Sequence, residues 1–169
     1  MPKDNIILIG FMGTGKTTVG KIIAEKMQWT FLDTDDLIET RTGMSIPAIF
    51  EKYGEQWFRD QESAVIEEVL KEKNQVISTG GGAVLREENR QMMLEGGIVA
   101  ALKADADTIV ERVSRSEDRP LLRGEVRERV ETLLAARKTA YDFAHVEFDA
   151  AALSPSQLAE RIIQHFKSV

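Results

Sequence analysis

The sequence predicts an α/β fold: a parallel sheet covered by helices on both faces. Short β-branched runs alternate with longer stretches of helical periodicity. The motifs that carry chemistry fall just after those runs or in loops that can fold over them, and ligands bind parallel sheets at the carboxyl ends of their strands. Composition does not break along the 169 residues, so one domain is expected over 1–169. Hydrophobic residues make up 43% and charged residues 30%, which excludes a largely disordered chain. With no cysteine there is no disulfide, thiolate metal site or cysteine nucleophile. Two histidines, His145 and His165, argue against a two-His zinc motif. A net charge of −6 is a poor match for nucleic acid. No apolar run approaches the ~20 residues that span a bilayer. The start, Met1-Pro2-Lys3-Asp4-Asn5, lacks the order of a signal peptide, so a cytoplasmic setting is expected.

In chain order, Ile6-Ile7-Leu8-Ile9 reads as a buried strand ending at Gly10. A helix over Lys16 to Met27 follows from Val19, Ile22, Ile23 and Met27. Thr30-Phe31-Leu32 is a second strand, and Asp35 to Thr42, Ile46 to Tyr53 and Gln56 to Lys73 read as helices. Val65, Ile66, Val69 and Leu70 form the apolar stripe of the last of these. Val76-Ile77-Ser78 is a third strand, stopped by glycines, followed by a helix over Glu87 to Glu95 and a fourth strand over Ile98 to Leu102. Helices over Asp105 to Ser114 and Glu125 to Ala144 precede a short fifth strand, Val146 to Phe148. Ser154, Pro155 and Gln157 fit an N-cap, first position and capping box for a last helix to about Lys167.

Gly10-Phe11-Met12-Gly13-Thr14-Gly15-Lys16-Thr17 fits G-x-x-x-x-G-K-[ST], between a strand and a helix as that motif requires. Its backbone amides suit phosphate oxygens, Lys16 the β- and γ-phosphates, and the Thr17 hydroxyl Mg²⁺. Asp33 and Asp35 follow the second strand, and in extended backbone they point to the same side. One suits Mg²⁺ through water, and the other an attacking hydroxyl. Alternatively, Asp35 only caps the helix starting near Asp36. Gly80-Gly81-Gly82 allows a ligand close to the backbone, or is a flexible turn. Arg59, beside Trp57 and Phe58, suits a carboxylate, or pairs with Asp60 or Glu62. Phe50 and Phe58 are candidate pocket walls or core. Arg112, Arg115, Arg119 and Arg123 surround a Pro- and Gly-containing stretch that reads as a flap. Arg137 lies on the following helix, one turn before Tyr141.

The combination resembles the shikimate kinase family, within the nucleoside-monophosphate-kinase-like P-loop proteins. The residues that carry it are the Gly10–Thr17 loop, Asp33-Thr34-Asp35, Phe58-Arg59, Gly80-Gly81-Gly82, Arg119-Pro120-Leu121-Leu122, and Arg137 with Tyr141. The likeness runs from Ile6 to the final helix. It implies a three-layer P-loop fold with a five-stranded sheet in the order 2-3-1-4-5, a substrate-binding segment over about 34–62 and a lid over about 114–124. It implies transfer of the ATP γ-phosphoryl group to the 3-hydroxyl of shikimate. Gly13, Thr14, Gly15, Lys16, Thr17 and Thr18 would bind ATP, with Arg112 and Ser154-Pro155 around the adenine and Arg115 as the alternative to Arg112. Thr17 would ligate Mg²⁺ and Asp33 support it through water. Asp35 would hold the hydroxyl, as base or as positioner. Arg59 and Arg137 would grip the substrate carboxylate, and Gly80, Gly81 and Gly82 would line the pocket with Phe50 and Phe58. Lys16 and Arg119 would stabilise phosphoryl charge. ATP and shikimate are the expected partners of a cytoplasmic monomer, with no nucleic acid and no membrane. Gluconate kinase is the nearest rival, a nucleoside monophosphate kinase a further one, and a catalytically silent nucleotide-binding regulator the reading from another class.

Overall fold

A computed structural model of the chain describes residues 3–116 and 123–169. Strands β1 (Asn5–Gly10), β2 (Thr30–Asp33), β3 (Gln75–Ser78), β4 (Ile98–Lys103) and β5 (Val146–Asp149) form one sheet in the order β2-β3-β1-β4-β5. Every neighbouring pair is parallel, and the order is the one the resemblance implied. Around the sheet lie α1 (Lys16–Met27), α2 (Thr34–Thr42), α3 (Ile46–Tyr53), α4 (Glu55–Val69), α5 (Glu87–Gly96), α6 (Ala106–Ser116), α7 (Arg123–Ala136) and α8 (Pro155–Ser168).

Register explains why the central strands read as continuous apolar runs. Ile6 stands between Val76 and Ile98, and Ile7 between Ile77 and Val99. Ile6, Leu8, Val76, Ala100 and Leu102 pack with Val19 and Ile23 of α1 and Leu158 and Ile162 of α8. Ile7, Ile9, Ile77, Val99 and Ala101 pack with residues of α2 to α7, among them Ile38, Ile49, Val65, Met93, Ile109 and Val130. Both faces are therefore buried, and alternation along the strand is lost. Each such side chain contributes about 1.5–3 kcal/mol by leaving water. The sheet order reverses at β1, so the carboxyl ends of β1, β2 and β3 open onto the crevice where parallel sheets hold ligands.

Four local expectations change. Helix α4 stops at Val69, not Lys73, where polar side chains of the sheet bond the carbonyl of its last residue and one of the turn that follows. Gln75 Nε2 donates to Val69 O at 2.7 Å and Asn5 Nδ2 to Glu72 O at 3.0 Å. Helix α7 stops at Ala136, and residues 137–144 wind on in turns that bring Tyr141 and Asp142 to partners on the sheet side. Helix α6 runs to Ser116, two residues past the expected Ser114. The cap of α2 is Asp33 rather than Asp35: its carboxylate accepts from Asp35 N and Asp36 N at 2.9 and 3.1 Å. The chain thus turns helical at Thr34, and Asp35 lies in a first turn instead of extended backbone. The capping box of α8 forms as expected, with Ser154 and Gln157 exchanging bonds. Among the described residues no helix is long and apolar enough to cross a membrane.

Candidate active site

The loop after β1 turns on two glycines in left-handed backbone, Gly13 (φ 78°) and Gly15 (φ 93°). Gly15 precedes α1, whose N-terminus has no side-chain cap and no acidic residue in its first turn. Helices α2, α3 and α8 are capped by Asp33, Ser45 and Ser154. The free amides and positive dipole end of α1 therefore face the cleft, as an anion site requires. Thr14 turns inward to donate to Phe11 O at 2.7 Å, while Thr17 and Thr18 stay exposed. Lys16 folds back over the loop and donates to Gly10 O at 2.6 Å and Phe11 O at 3.1 Å. Burial lowers its pKa to about 8, against the attraction of Asp35 and Asp33.

Opposite stand the two carboxylates. Asp33 Oδ2 faces Thr17 Oγ1 at 3.4 Å, and burial raises the Asp33 pKa against the amides that bond it. A hydroxyl and a carboxylate oxygen at this separation are hard donors suited to Mg²⁺ and its water. Among the described residues no group of three or more His, Cys, Asp or Glu side chains is arranged to hold a metal. A cation here would take its remaining ligands from water and phosphate, the usual habit of Mg²⁺. Asp35 is pushed up to about 6 by burial first and by Asp33 second, with Lys16 and Arg59 opposing. Its Oδ1 is buried without a hydrogen-bond partner.

The glycines after β3 are not a loose turn. A Cβ on Gly80 would lie 2.7 Å from Asp35 Oδ1 and 3.1 Å from Glu62 Oε2. One on Gly81 would lie 3.1 Å from Arg137 Nη1, and one on Gly82 would overlap the Arg59 guanidinium. Four side chains, from α2, α4 and the turn after α7, thus close on one bare stretch of backbone. Each arginine rests on an aromatic ring, Arg59 on Phe58 at 5.2 Å and Arg137 on Phe11 at 5.7 Å. Phe50 and Phe58 lie 5.0 Å apart, and Phe58 is buried. The cleft between the Gly13–Thr18 loop, Asp33, Asp35 and Ser78 to Gly81 holds about 310 Å³.

Arg59 pairs with Glu62 at 2.9 Å and Glu55 at 3.5 Å, not with Asp60, which binds Arg86. Glu62 is the residue that sequence reasoning undervalued, naming it only as a surface partner. It is fully buried, its Oε2 has no partner, and burial lifts its pKa to about 7 against the pull of Arg59. The signal was there: Phe58, Glu62, Val65, Ile66 and Val69 are the buried stripe of α4, with a carboxylate in an apolar position. Tyr141 is buried, and its hydroxyl donates to Gly81 O at 2.7 Å.

A second pocket, about 240 Å³, adjoins the loop between Thr18, Arg112, Ala150, Leu153 and Pro155. Arg112 donates to Gly13 O at 3.1 Å and Ala150 O at 3.0 Å, while Arg115 turns away to exposed Glu111. Ser154 uses its side chain on the α8 cap; of the Ser154-Pro155 pair, Pro155 lines the pocket. Arg119 and the centre of the expected lid lie outside the described residues.

These features have counterparts among known proteins. A family model for shikimate kinase matches residues 12–167. The shikimate kinase of Thermodesulfovibrio yellowstonii is 45% identical over 96% of this chain and 95% of its own length. That of Caldanaerobacter subterraneus is 43% identical over 96% and 95%. Among solved structures, shikimate kinase from Acinetobacter baumannii in complex with shikimate superposes with a TM-score of 0.89 at 39% identity, over 98% of this chain and 94% of its own. A gluconokinase from Sinorhizobium meliloti superposes at 0.61 with 19% identity, over 99% and 93%, a likeness of fold alone. Nearly the whole chain is matched at high identity to one family, and the P-loop, paired carboxylates, arginines and glycines converge in one cleft: the chain belongs to the shikimate kinase family.

Proposed function

We propose that the chain transfers the γ-phosphoryl group of ATP to the 3-hydroxyl of shikimate, giving shikimate 3-phosphate and ADP. The observation that carries this reading is the convergence of Asp35, Arg59 and Arg137 on Gly80 to Gly82, facing Lys16 and Thr17. Two guanidiniums and a carboxylate around one run of glycines match an acid that also carries a hydroxyl. Arg59 and Arg137 bind the substrate carboxylate, Gly80 to Gly82 with Phe50 and Phe58 enclose the ring, and Asp35 holds the hydroxyl. As that oxygen bonds to the γ-phosphorus, the bond to the β–γ bridging oxygen breaks and ADP leaves. The hydroxyl proton goes to Asp35, whose pKa of about 6 suits an acceptor near neutral pH. Gly13, Thr14, Gly15 and Thr18 cradle the phosphates while Lys16 and Arg119 offset the phosphoryl charge. Arg112 and Pro155, next to Ser154, flank the adenine. Thr17 would hold Mg²⁺ directly and Asp33 through water. When bound, the ion neutralises charge on the β- and γ-phosphates. The setting proposed is the cytoplasm, with the chain acting as a monomer.

ADP release coupled to NADH loss, with Mg-ATP and shikimate, gluconate, AMP or buffer, tests the reading. Release with shikimate alone is the expected result. Release with gluconate or AMP instead would overturn the acceptor assignment and leave the kinase fold intact. ATP binding with silence in every well would favour a regulator.

A further inference from the structure

Helix α2 carries Asp35 in its first turn and Glu39 one turn later on the same side. Glu39 Oε2 accepts from the backbone N–H of Ile46 at 3.0 Å. Ile46 opens α3, so this N–H is one of the first-turn donors that no helix carbonyl can reach. Ser45 Oγ accepts from Ala48 N at 3.3 Å, and Glu39, from another helix, supplies the second acceptor. The connection itself is residues 43–45, with Gly43 in left-handed backbone (φ 67°) and Met44 N donating to Thr42 Oγ1 at 3.3 Å, and Glu39 ties across it from helix to helix. Helix α3 in turn carries Phe50, whose ring packs 5.0 Å from Phe58, the neighbour of Arg59.

We propose that Glu39 is a positioning residue for the acceptor pocket: by capping α3 from α2 it locks the two helices together and fixes the Phe50 wall relative to Asp35. The proposal rests on shikimate being the acceptor. Another tie on α2 serves as a control. Arg41 forms a two-pronged pair with Glu68 of α4 at 2.6 and 2.8 Å. That pair is exposed, contributes little to stability, and does not touch α3.

Glu39→Ala, Glu39→Gln and Arg41→Ala are compared with the parent by steady-state kinetics and by hydrogen exchange over residues 44–51. Loss of one hydrogen bond that sets pocket geometry predicts a rise of about tenfold in KM for shikimate in Glu39→Ala. On the same scale kcat and the KM for ATP stay within about twofold. Exchange at the first turn of α3 speeds up. Glu39→Gln keeps an acceptor oxygen and stays close to the parent in both readouts, as does Arg41→Ala. A Glu39→Ala KM equal to that of the parent overturns the proposal. So does Glu39→Gln as impaired as Glu39→Ala, since charge and not the acceptor would then matter. If the parent does not phosphorylate shikimate, the acceptor reading fails on its own. Exchange at α3 still decides: equal exchange in Glu39→Ala and the parent overturns Glu39's hold.

Discussion

Asp35 meets three demands with one carboxylate. It lies against Gly80, faces Lys16, and keeps one buried oxygen without a partner. An unpaired buried oxygen is costly unless a ligand completes it, and the substrate hydroxyl is the group that would. Asp35→Asn keeps the shape and loses the proton acceptor. Turnover is expected to fall by about 10²-fold or more, the usual contribution of a positioned acid or base. ATP affinity, measured by calorimetry, stays near that of the parent. Glu62 is a second buried carboxyl, and its pKa in the fold, about 7, exceeds its ordinary 4.5. Between those values the folded state binds more protons than the unfolded, so stability falls as pH rises through that window. Glu62→Gln removes this contribution. Urea midpoints followed from pH 4.5 to 7.5 should decline less steeply in the variant, and an unchanged slope would contradict the assignment. The P-loop motif singled out Lys16, whereas Asp35 and Arg59 rested on the resemblance, since the extended-strand spacing offered for Asp35 does not hold in the first turn of α2. Glu62 was legible only by placing it on the apolar stripe of its helix, because what sets it apart is burial.

At the scale of elements, the strands and most helix starts followed from periodicity and caps, and the ends of α4 and α7 share one cause. Where α4 and α7 stop, the decisive partners are remote in sequence: Asn5 takes a carbonyl of the turn after α4, and Tyr141 reaches Gly81. Helical pattern continues past both points, but local pattern does not contain these bonds. The cap of α2 was open for another reason. Either aspartate fits a cap, and only the geometry shows Asp33 bonding the amides of Asp35 and Asp36 while its other oxygen meets Thr17. Ser154 was read correctly because its capping box is wholly local. Ser154→Ala removes an acceptor from the first turn of α8 and is expected to cost about 1 kcal/mol in urea unfolding. Since Pro155 of that turn lines the pocket with Arg112, the KM for ATP should rise more than that for shikimate.

Across the whole molecule, the strand order came from resemblance, and the alternation of elements had fixed only the class. Alternation requires crossovers but not their sequence; the order depends on which apolar faces α1 and α8 jointly cover. The sheet edge adds a pH dependence that the sequence did not disclose. Val99 N donates to His145 Nδ1 at 2.9 Å, and His145 N donates back to Val99 O at 2.9 Å, leading into β5. The ring must be neutral to accept, and its pKa is lowered by partial burial first and then by Lys3 and His165. The unfolded chain therefore takes up this proton more readily, so the contribution present above the ordinary value of 6.5 is lost as pH falls below it. His145→Gln, which retains an acceptor, should lose less stability than the parent between pH 7 and 5.5, read from urea midpoints.

The acceptor proposed for the cleft is an acid held by its carboxylate between Arg59 and Arg137. The most direct test compares kcat/KM for shikimate and for its methyl ester at fixed Mg-ATP. Two charge-assisted contacts to a carboxylate predict a drop of about 100-fold or more for the ester. Equal kcat/KM for acid and ester would contradict the assignment of both arginines.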